Sequence, residues 1–291
     1  MSDDSVKALD NLKELHNVML SMLVDIDAVC RKHGLRYYLA YGTLLGAVRH
    51  HGFIPWDDDA DIFMPRTDYE KFLSVATDEL GSQYFVQYYK TEPYYRHPFA
   101  KIRCNGTACV IQNHRHIPMH QGIFVDIFPL ENVPSCSLMR MLLLNVAVLT
   151  DRLCALSVAR LPSRYRWFAP FKSVFSYCFK PSTFASMGDI LIRLIQARES
   201  DQMMCVHVPA MRYKKDLFPS ALFCNGKDVM FEGRTLRIPE EAETFLRRTY
   251  GDFMSLPPFE KRFPVHAKDN TQISATQDYH LFIPELYGGK A

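Results

Sequence analysis

The hydrophobic and polar positions of this chain predict a long first helix followed by short strands and helices. Between residues 6 and 32 apolar side chains recur every three or four positions, the period of one helix face, and Gly34 follows as a helix stop. Residues 35–40 and 61–64 have the character of strands, with a short helix over 44–50 between them. A further helix is predicted over residues 67–80, where Thr67 and Glu70 have the spacing of a capping box.

Later segments add strands and one more helix. Runs rich in β-branched and aromatic residues predict strands at 84–90, 99–104 and 122–128. Residues 227–238 predict a hairpin with Glu232 and Gly233 in its turn, and a helix from Pro239 to Tyr250 follows, closed by Gly251. This succession predicts an α/β (α+β) fold, a mixed sheet flanked by helices. We assign no structure to the polar tail after Pro264.

Residues 135–205 differ in character from the rest of the chain. Residues 138–150 and 153–160 are strongly apolar, residues 182–199 have helical spacing, and basic and aromatic side chains fill the part between them. No acidic residue lies between Asp151 and Asp189. We predict a helical, basic and aromatic insertion within a single domain that spans residues 1–291. Two interpretations are open: a packed insertion with a solvated basic face, or a surface that meets anionic lipid.

Composition and charge exclude some classes of protein. The net charge is only +2, which argues against nucleic acid as a partner. The eight cysteines include no Cys-x-x-Cys pair, a usage typical of reduced thiols in the cytosol. The N-terminus lacks the basic and apolar regions of a signal peptide, and no uninterrupted apolar run reaches the roughly 20 residues of a spanning helix. We expect a cytoplasmic protein, with a peripheral contact at the inner face of the membrane under the lipid interpretation.

The strongest chemical signal is a cluster of aspartates at the start of the strand at 61–64. Asp57, Asp58, Asp59 and Asp61 lie within five consecutive residues. On an extended strand, Asp57, Asp59 and Asp61 would share one face and Asp58 would point to the other. Clustered carboxylates repel one another unless a cation neutralises them, so this row predicts a site for Mg²⁺ or Mn²⁺. An EF-hand is excluded because its central glycine and its glutamate at the twelfth position are missing.

Residues 38–49 and 52–61 together resemble the signature of a known family. Their sequences are YLAYGTLLGAVR and GFIPWDDDAD, and they resemble the LicD family of bacterial phosphocholine transferases, which are related to the fukutin-type ribitol-phosphate transferases. Two further blocks agree: residues 122–131, GIFVDIFPLE, and a C-terminal block formed by residues 231–233 and 250–258. The resemblance implies a nucleotidyltransferase-like fold.

The resemblance also implies a reaction. A phosphotransferase of this kind would move an alcohol phosphate, phosphocholine first, from a CDP-activated donor such as CDP-choline to a sugar hydroxyl. The acceptor would be a cell-surface glycan, as a lipopolysaccharide or teichoic acid precursor, including lipid-linked forms. Two alternatives stay open: transfer of ribitol or glycerol phosphate, and a nucleotidyltransferase that uses a nucleoside triphosphate.

Within this reaction the carboxylates have defined roles. Asp59, Asp61 and Asp126 are the predicted catalytic residues, and together with Asp57 they are the predicted metal ligands. Asp126 stands alone in an apolar strand, where an aspartate is costly unless it is paired or bound to metal. It is either a ligand of a metal ion or the general base for the acceptor hydroxyl, and the sequence does not separate these roles.

Other residues are predicted to bind substrate. Gly42 allows the backbone to approach phosphate closely, and the adjacent Thr43 hydroxyl can donate to a phosphate oxygen. One cationic residue of the signature and two that share a face of the strand predicted at 99–104 are candidates for phosphate contacts. An aromatic residue of the signature is the candidate wall for the base or for a quaternary ammonium. These candidates are Arg49, Lys101, Arg103 and, as the wall, Trp56.

A zinc site is a weaker alternative. Three histidines and two cysteines fall within one stretch of 17 residues, namely Cys104, Cys109, His114, His116 and His120. Their spacing matches no compact tetrahedral pattern, so the sequence favours the carboxylate site.

Overall fold

The computed structural model describes residues 3–159, 168, 179–205, 217–264 and 271–287, with side chains from residue 12 onward. A mixed sheet lies at the centre, with its main strands in the order β1-β2-β6-β4-β3. These are β1 (Tyr38–Leu39), β2 (Asp61–Pro65), β3 (Tyr84–Gln87), β4 (Ala100–Cys104) and β6 (Phe124–Asn132). Strands β2 and β6 run parallel, whereas the other neighbours in this order are antiparallel. The predicted α/β class with a mixed sheet is confirmed.

Smaller strand pairs lie around this sheet. Strand β7 (Gln202–Met204) pairs antiparallel with the end of β6 and, on its other side, with β8 (Leu217–Pro219). Strands β9 (Gly226–Phe231) and β10 (Arg234–Pro239) form the predicted hairpin, with Glu232 and Gly233 both at positive φ in its turn. Strand β5 (Ala108–Val110) pairs with β11 (Gln272–Ser274), which lies in the tail left without structure by the sequence.

Six helices longer than one turn occur in the described residues. They are α1 (Asp3–Lys32), α2 (Tyr41–Arg49), α3 (Arg66–Leu80), α4 (Ser137–Val158), α5 (Pro181–Ile195) and α6 (Ala242–Tyr250). The N-terminal helix α1 buries its apolar stripe against the main core, including Leu15, Met19 and Met22. Gly34 ends it at φ +62, as predicted from the glycine. Helix α6 begins later than predicted, because Pro239 ends β10.

Three local predictions are wrong. The capping box does not form: α3 begins one residue earlier, at Arg66, and its N-cap is Pro65, which offers no side-chain hydrogen bond. Gly42 and Thr43, expected to lie in a turn before the helix predicted over 44–50, lie in the first turn of α2. Residues 57–60 form no strand, since β2 begins only at Asp61.

The middle of the chain forms a pair of helices, α4 and α5, which pack against each other. The two apolar runs predicted separately join into the single 22-residue helix α4. By length and composition alone, α4 is long and apolar enough to cross a membrane: its most apolar 18 residues have a mean hydropathy of 1.7, and 28% of them are buried. This corrects the expectation that the chain has no segment apolar enough to span a membrane. A small second hydrophobic core includes Leu143 and Ala147 of α4 and Ile192 of α5. That residues 1–291 form a single domain with residues 135–205 as an insertion stays a prediction.

Candidate active site

The signature segment folds as a helix, a tight loop and a strand. Helix α2 starts directly after β1, and its Thr43 side chain reaches the start of β2, where Thr43 Oγ1 accepts a hydrogen bond of 2.8 Å from the Asp61 amide. Thr43 is 2% exposed. The hydroxyl therefore fixes the first residue of β2 against the first turn of α2.

The loop between α2 and β2 passes unusually close to the helix. A Cβ atom placed on Gly46 would overlap the carbonyl oxygen of Gly52 and lie 3.1 Å from the Ile54 amide nitrogen. A Cβ atom on Gly42 would lie 2.5 Å from Oδ2 of Asp57. Gly42 therefore makes room for a carboxylate of the acidic cluster, whereas Gly46 makes room for the loop backbone.

This loop places three aspartates together. One carboxylate oxygen from each of Asp57, Asp58 and Asp59 lies within 4.8 Å of the others. The expected alternation of faces is therefore wrong for Asp58, because an irregular loop rather than a strand carries these residues, and it turns Asp58 toward its neighbours. Asp58 is also buried, at 3% exposure.

The other two predicted acids stand side by side on the sheet. Asp61 on β2 and Asp126 on β6 are direct partners in the parallel register, and both are buried. Burial, together with the negative charges of Asp59, Asp126 and Asp57, raises the pKa of Asp61 well above its ordinary value. Asp61 therefore lies near Asp126, Asp59 and Asp57, whereas among the described residues the three carboxylates close enough to share one ion are Asp57, Asp58 and Asp59.

Lys101 is the cation buried among these acids. It lies on β4 opposite Asp126, forms an ion pair with that carboxylate, and places Nζ 3.6 Å from the centre of the Phe124 ring. Burial lowers the pKa of Lys101, although Asp126 opposes the change; burial likewise raises the pKa of Asp126, opposed by Lys101. The carboxylates beside Lys101 are hard oxygen donors, which fit Mg²⁺ or Mn²⁺.

Arg103 occupies the same strand two residues further on and makes contacts within the protein. Its guanidinium donates to Gln87 Oε1 at 2.7 Å and to the Gly122 carbonyl oxygen at 2.7 Å, and it lies 4.6 Å from the Phe124 ring centre. Because Arg103 is 3% exposed, it reaches a ligand only if these contacts rearrange. Its predicted role in phosphate binding stays a prediction.

A second group of cations stands at the other side of the acidic loop. Arg49, in the last turn of α2, donates to the Phe253 carbonyl oxygen at 2.9 Å, and Arg262 lies 5.5 Å from the centre of the Trp56 ring. Burial and the neighbouring Arg262 lower the pKa of Arg49. Among the described residues, both guanidinium groups donate to neutral acceptors, and Arg49 also interacts electrostatically with Asp57 of the acidic loop.

Sequence reasoning missed Arg262 and two residues that hold the loop in place. Glu232 accepts a hydrogen bond of 3.1 Å from the Phe53 amide, and its own amide donates to the His51 carbonyl oxygen at 2.9 Å. The His16 ring stacks on Phe53 with centroids 4.4 Å apart, and its Nε2 lies 2.7 Å from the Asp57 carbonyl oxygen. Only Glu232 carried a signal, as part of the C-terminal block.

The histidines of the zinc alternative make other contacts. His114 Nε2 lies 3.0 Å from Arg96, His116 Nε2 lies 2.8 Å from the Val158 carbonyl oxygen, and His120 Nδ1 accepts from the Gly122 amide at 3.1 Å. In the residues that the structure describes, the groups able to share a metal ion reduce to the three loop aspartates.

Comparisons with known proteins agree with this geometry. Residues 34–141 match the family model "LicD/FKTN/FKRP, nucleotidyltransferase domain", a range that includes α2, the acidic loop, Lys101 and Asp126. The chain is 27% identical over 266 residues to the lipopolysaccharide cholinephosphotransferase LicD of Haemophilus influenzae, covering 89% of this chain and 97% of that relative. The resemblance to the LicD family is confirmed.

Two shorter matches involve uncharacterized proteins. One from Rickettsia prowazekii is 37% identical over 68 residues, which is 23% of this chain and 26% of that protein. One from Rickettsia typhi is 35% identical over 75 residues, which is 26% of this chain and 24% of that protein.

Proposed function

Because residues 34–141 carry a LicD-type nucleotidyltransferase domain, we propose that this chain transfers phosphocholine from CDP-choline to a sugar hydroxyl of a lipopolysaccharide-type glycan. The observation that carries the proposal is the buried pair Asp61 and Asp126 beside the loop aspartates 57–59. A carboxylate cluster on a rigid sheet edge suits the transfer of a phosphoryl group, which depends on charge neutralisation and positioning.

In the proposed reaction, the acceptor hydroxyl attacks the phosphorus that carries choline. A new oxygen–phosphorus bond forms, the bond to CMP breaks, and the acceptor proton leaves. Asp57, Asp59, Asp61 and Asp126 would hold a divalent cation, which when bound neutralises the diphosphate and stabilises the leaving CMP. Asp126 is either one of these ligands or the base that takes the acceptor proton, and its ion-pair partner Lys101 holds that carboxylate in place on the sheet.

The cations on the far side of the loop complete the donor site. Arg49 and Arg262 would contact the diphosphate oxygens from the side opposite the carboxylates, and Trp56 would form a wall of the same site. Gly42 and Thr43 act indirectly: the first leaves space for the Asp57 carboxylate, and the second fixes Asp61. Phosphate is thus held between positive side chains and the cation-binding acids.

A donor panel tests the proposal. The purified protein is incubated with Mg²⁺ and CDP-choline, CDP-ribitol, CDP-glycerol or nucleoside triphosphates, in the presence and absence of lipopolysaccharide lacking phosphocholine. We expect CMP release from CDP-choline, stimulated by the acceptor and abolished by chelator or by Asp61→Asn. The matched control Asp78→Asn, at an exposed acid of α3, should keep full activity. Release of CMP from CDP-ribitol or CDP-glycerol instead would mean that ribitol or glycerol phosphate is the group transferred. Release of pyrophosphate from a nucleoside triphosphate would mean that the protein is a nucleotidyltransferase.

A further inference from the structure

The exposed face of α4 is an almost unbroken apolar stripe. Residues three or four apart lie on one side of a helix, and in α4 the outward positions are 138, 142, 145, 149, 152 and 156. Four of these six are leucines, each at least 42% exposed: Leu138, Leu142, Leu149 and Leu156. A soluble helix normally places polar side chains there, so this face calls for a partner.

Helix α5 repeats the same feature. Its outward positions carry Met187, Ile190, Leu191 and Leu194, of which Leu194 is 76% exposed. Its opposite face packs on α4, where Gly188 lies directly against Thr150 and the Cys154 thiol donates to the Pro181 carbonyl oxygen. The two helices therefore run antiparallel, and each one exposes an apolar stripe while its other side is covered.

The exposed charges on the two helices themselves are positive, although Arg193 is paired with Glu70 and Asp189. Within the described parts of residues 137–195, the carboxylates are Asp151 and Asp189, and neither is exposed. Arg152 and Arg193 are exposed on the same two helices, and Lys180 starts α5 with its ammonium 5.3 Å from the centre of the Tyr94 ring. The sequence that links the helices, residues 159–180, contains five cations and no acid. An apolar face framed by cations is complementary to an anionic lipid surface.

Contacts in the middle and at the C-terminal end of α4 attach one of its faces to the rest of the protein, an arrangement that favours a helix lying on a bilayer over one crossing it. The face opposite the leucine stripe is buried in the protein, through Leu143, Ala147, Thr150 and Cys154. Its N-terminal end follows β6 closely, and at its C-terminal end the Val158 carbonyl oxygen contacts His116. A helix that is attached to a folded domain by one face presents only its other face to lipid.

We propose that the exposed stripes of α4 and α5 form a docking surface that inserts into the headgroup boundary of an anionic membrane. Exposed basic residues of the same helices, such as Arg152, then contact the lipid phosphates. The surface is connected to the candidate active site through residues 93–99: the Ser182 amide donates to the Pro93 carbonyl oxygen at 3.2 Å, and Phe99 directly precedes β4, which carries Lys101. Docking through this surface would hold the active site close to a lipid-borne acceptor.

Vesicle flotation with the full chain tests the surface without using enzymatic turnover. Vesicles of phosphatidylglycerol and phosphatidylethanolamine are compared with vesicles of phosphatidylcholine at low and high salt. We expect the protein to float with the anionic vesicles at low salt, and Leu142→Glu, Leu149→Glu or Leu191→Glu to lower the partition coefficient at least about tenfold each. Arg152→Glu should weaken flotation mainly at low salt.

Matched controls introduce glutamate at exposed apolar residues elsewhere. Met230→Glu on β9 and Leu281→Glu near the C-terminus should float as the unmodified protein does. The proposal is overturned if the unmodified protein stays with the soluble fraction, or if the leucine variants float unchanged while remaining folded by thermal unfolding. It is also overturned if light scattering shows a stable dimer that the leucine variants dissociate, because a second copy then covers the stripes. Because no donor is present, a negative result would leave the proposed transferase reaction untouched.

Discussion

At the scale of single residues, the candidate site is a place where charge is costly to bury. Asp61 stands beside Asp126 in the sheet and close to Asp59, and its pKa is raised first by burial and then by the negative charges of these neighbours. A cation bound by these carboxylates removes that repulsion, so function and stability oppose each other here. Two predictions belong to this scale.

Replacing Asp61 by Asn should stabilise the metal-free protein while abolishing turnover. The amide keeps the shape and removes one buried negative charge, so we expect an increase of about 1 kcal/mol in unfolding free energy, or roughly 2–4 °C in Tm. Mg²⁺ at a hundred times its dissociation constant should stabilise the unmodified protein by about 2.7 kcal/mol and the variant far less. Thermal unfolding with and without Mg²⁺ measures both effects, with Asp78→Asn as control. An Asp61→Asn protein that gains as much from Mg²⁺ as the unmodified one would place the cation elsewhere.

The buried histidines should make the protein sensitive to mild acid. His120 stacks on Phe85 and accepts a hydrogen bond at Nδ1, and burial lowers its pKa to about 3, below the usual 6.5. The unfolded state therefore binds one more proton between these values, so stability is complete above pH 6.5 and falls as the pH decreases toward 3. Burial lowers the pKa of His114 to about 3 in the same way.

Urea unfolding between pH 4.5 and 6.5 tests this dependence. In His120→Gln the slope of unfolding free energy against pH should be smaller by about 1.4 kcal/mol per pH unit, one proton's worth. His51→Gln, at an exposed histidine, should keep the original slope. Equal slopes in all three proteins would mean that His120 titrates normally in the folded state.

At the scale of elements, two glycines of α2 have different roles in the signature segment. Gly46 faces loop backbone, which cannot move aside, whereas Gly42 faces the Asp57 side chain, which can rotate. We expect Gly46→Ala to destabilise the protein by about 1–3 kcal/mol, since overpacking against backbone forces α2 and the loop apart. Gly42→Ala should fold with near-normal stability but bind Mg²⁺ more weakly. Thermal unfolding and Mg²⁺ titration of both variants separate the two effects, and normal Mg²⁺ affinity in Gly42→Ala would contradict this assignment.

Periodicity predicted most elements but not the shape of the acidic loop. The spacing of apolar residues identified α1, which buries one stripe in the core, and the enrichment in β-branched and aromatic residues identified β6, of which residues 124–131 are all buried. Asp58 was placed on the wrong face because alternation holds only in a strand, and residues 57–60 are irregular. Arg262 and His16 escaped prediction for a different reason: they reach the site through tertiary contacts that no local pattern contains.

At the scale of the whole molecule, a buried charged cluster joins the helical pair to the sheet. Arg66, the first residue of α3, forms ion pairs with Glu131 of β6 and with Asp189 of α5. Asp189 also accepts from Tyr89 at 2.9 Å and from Arg193. Together with the small hydrophobic core that α4 and α5 share with Val133 and Met204, this cluster fixes the proposed membrane surface relative to the active site.

Asp189→Asn should therefore loosen α4 and α5 as one unit. The substitution keeps the shape but removes the charge that Asp189 presents to Arg66 and Arg193, so we expect local opening of the pair to become roughly ten to a hundred times more frequent. Hydrogen exchange should then increase in both helices, while β2 and β6 exchange as before. Glu70→Gln is the matched control, since Glu70 lies 3.2 Å from the same Arg193 but on the surface, where an ion pair contributes little. If both variants exchange alike, the buried cluster is not what holds the helices, and their packing against residues 93–99 and 114–119 carries the attachment instead.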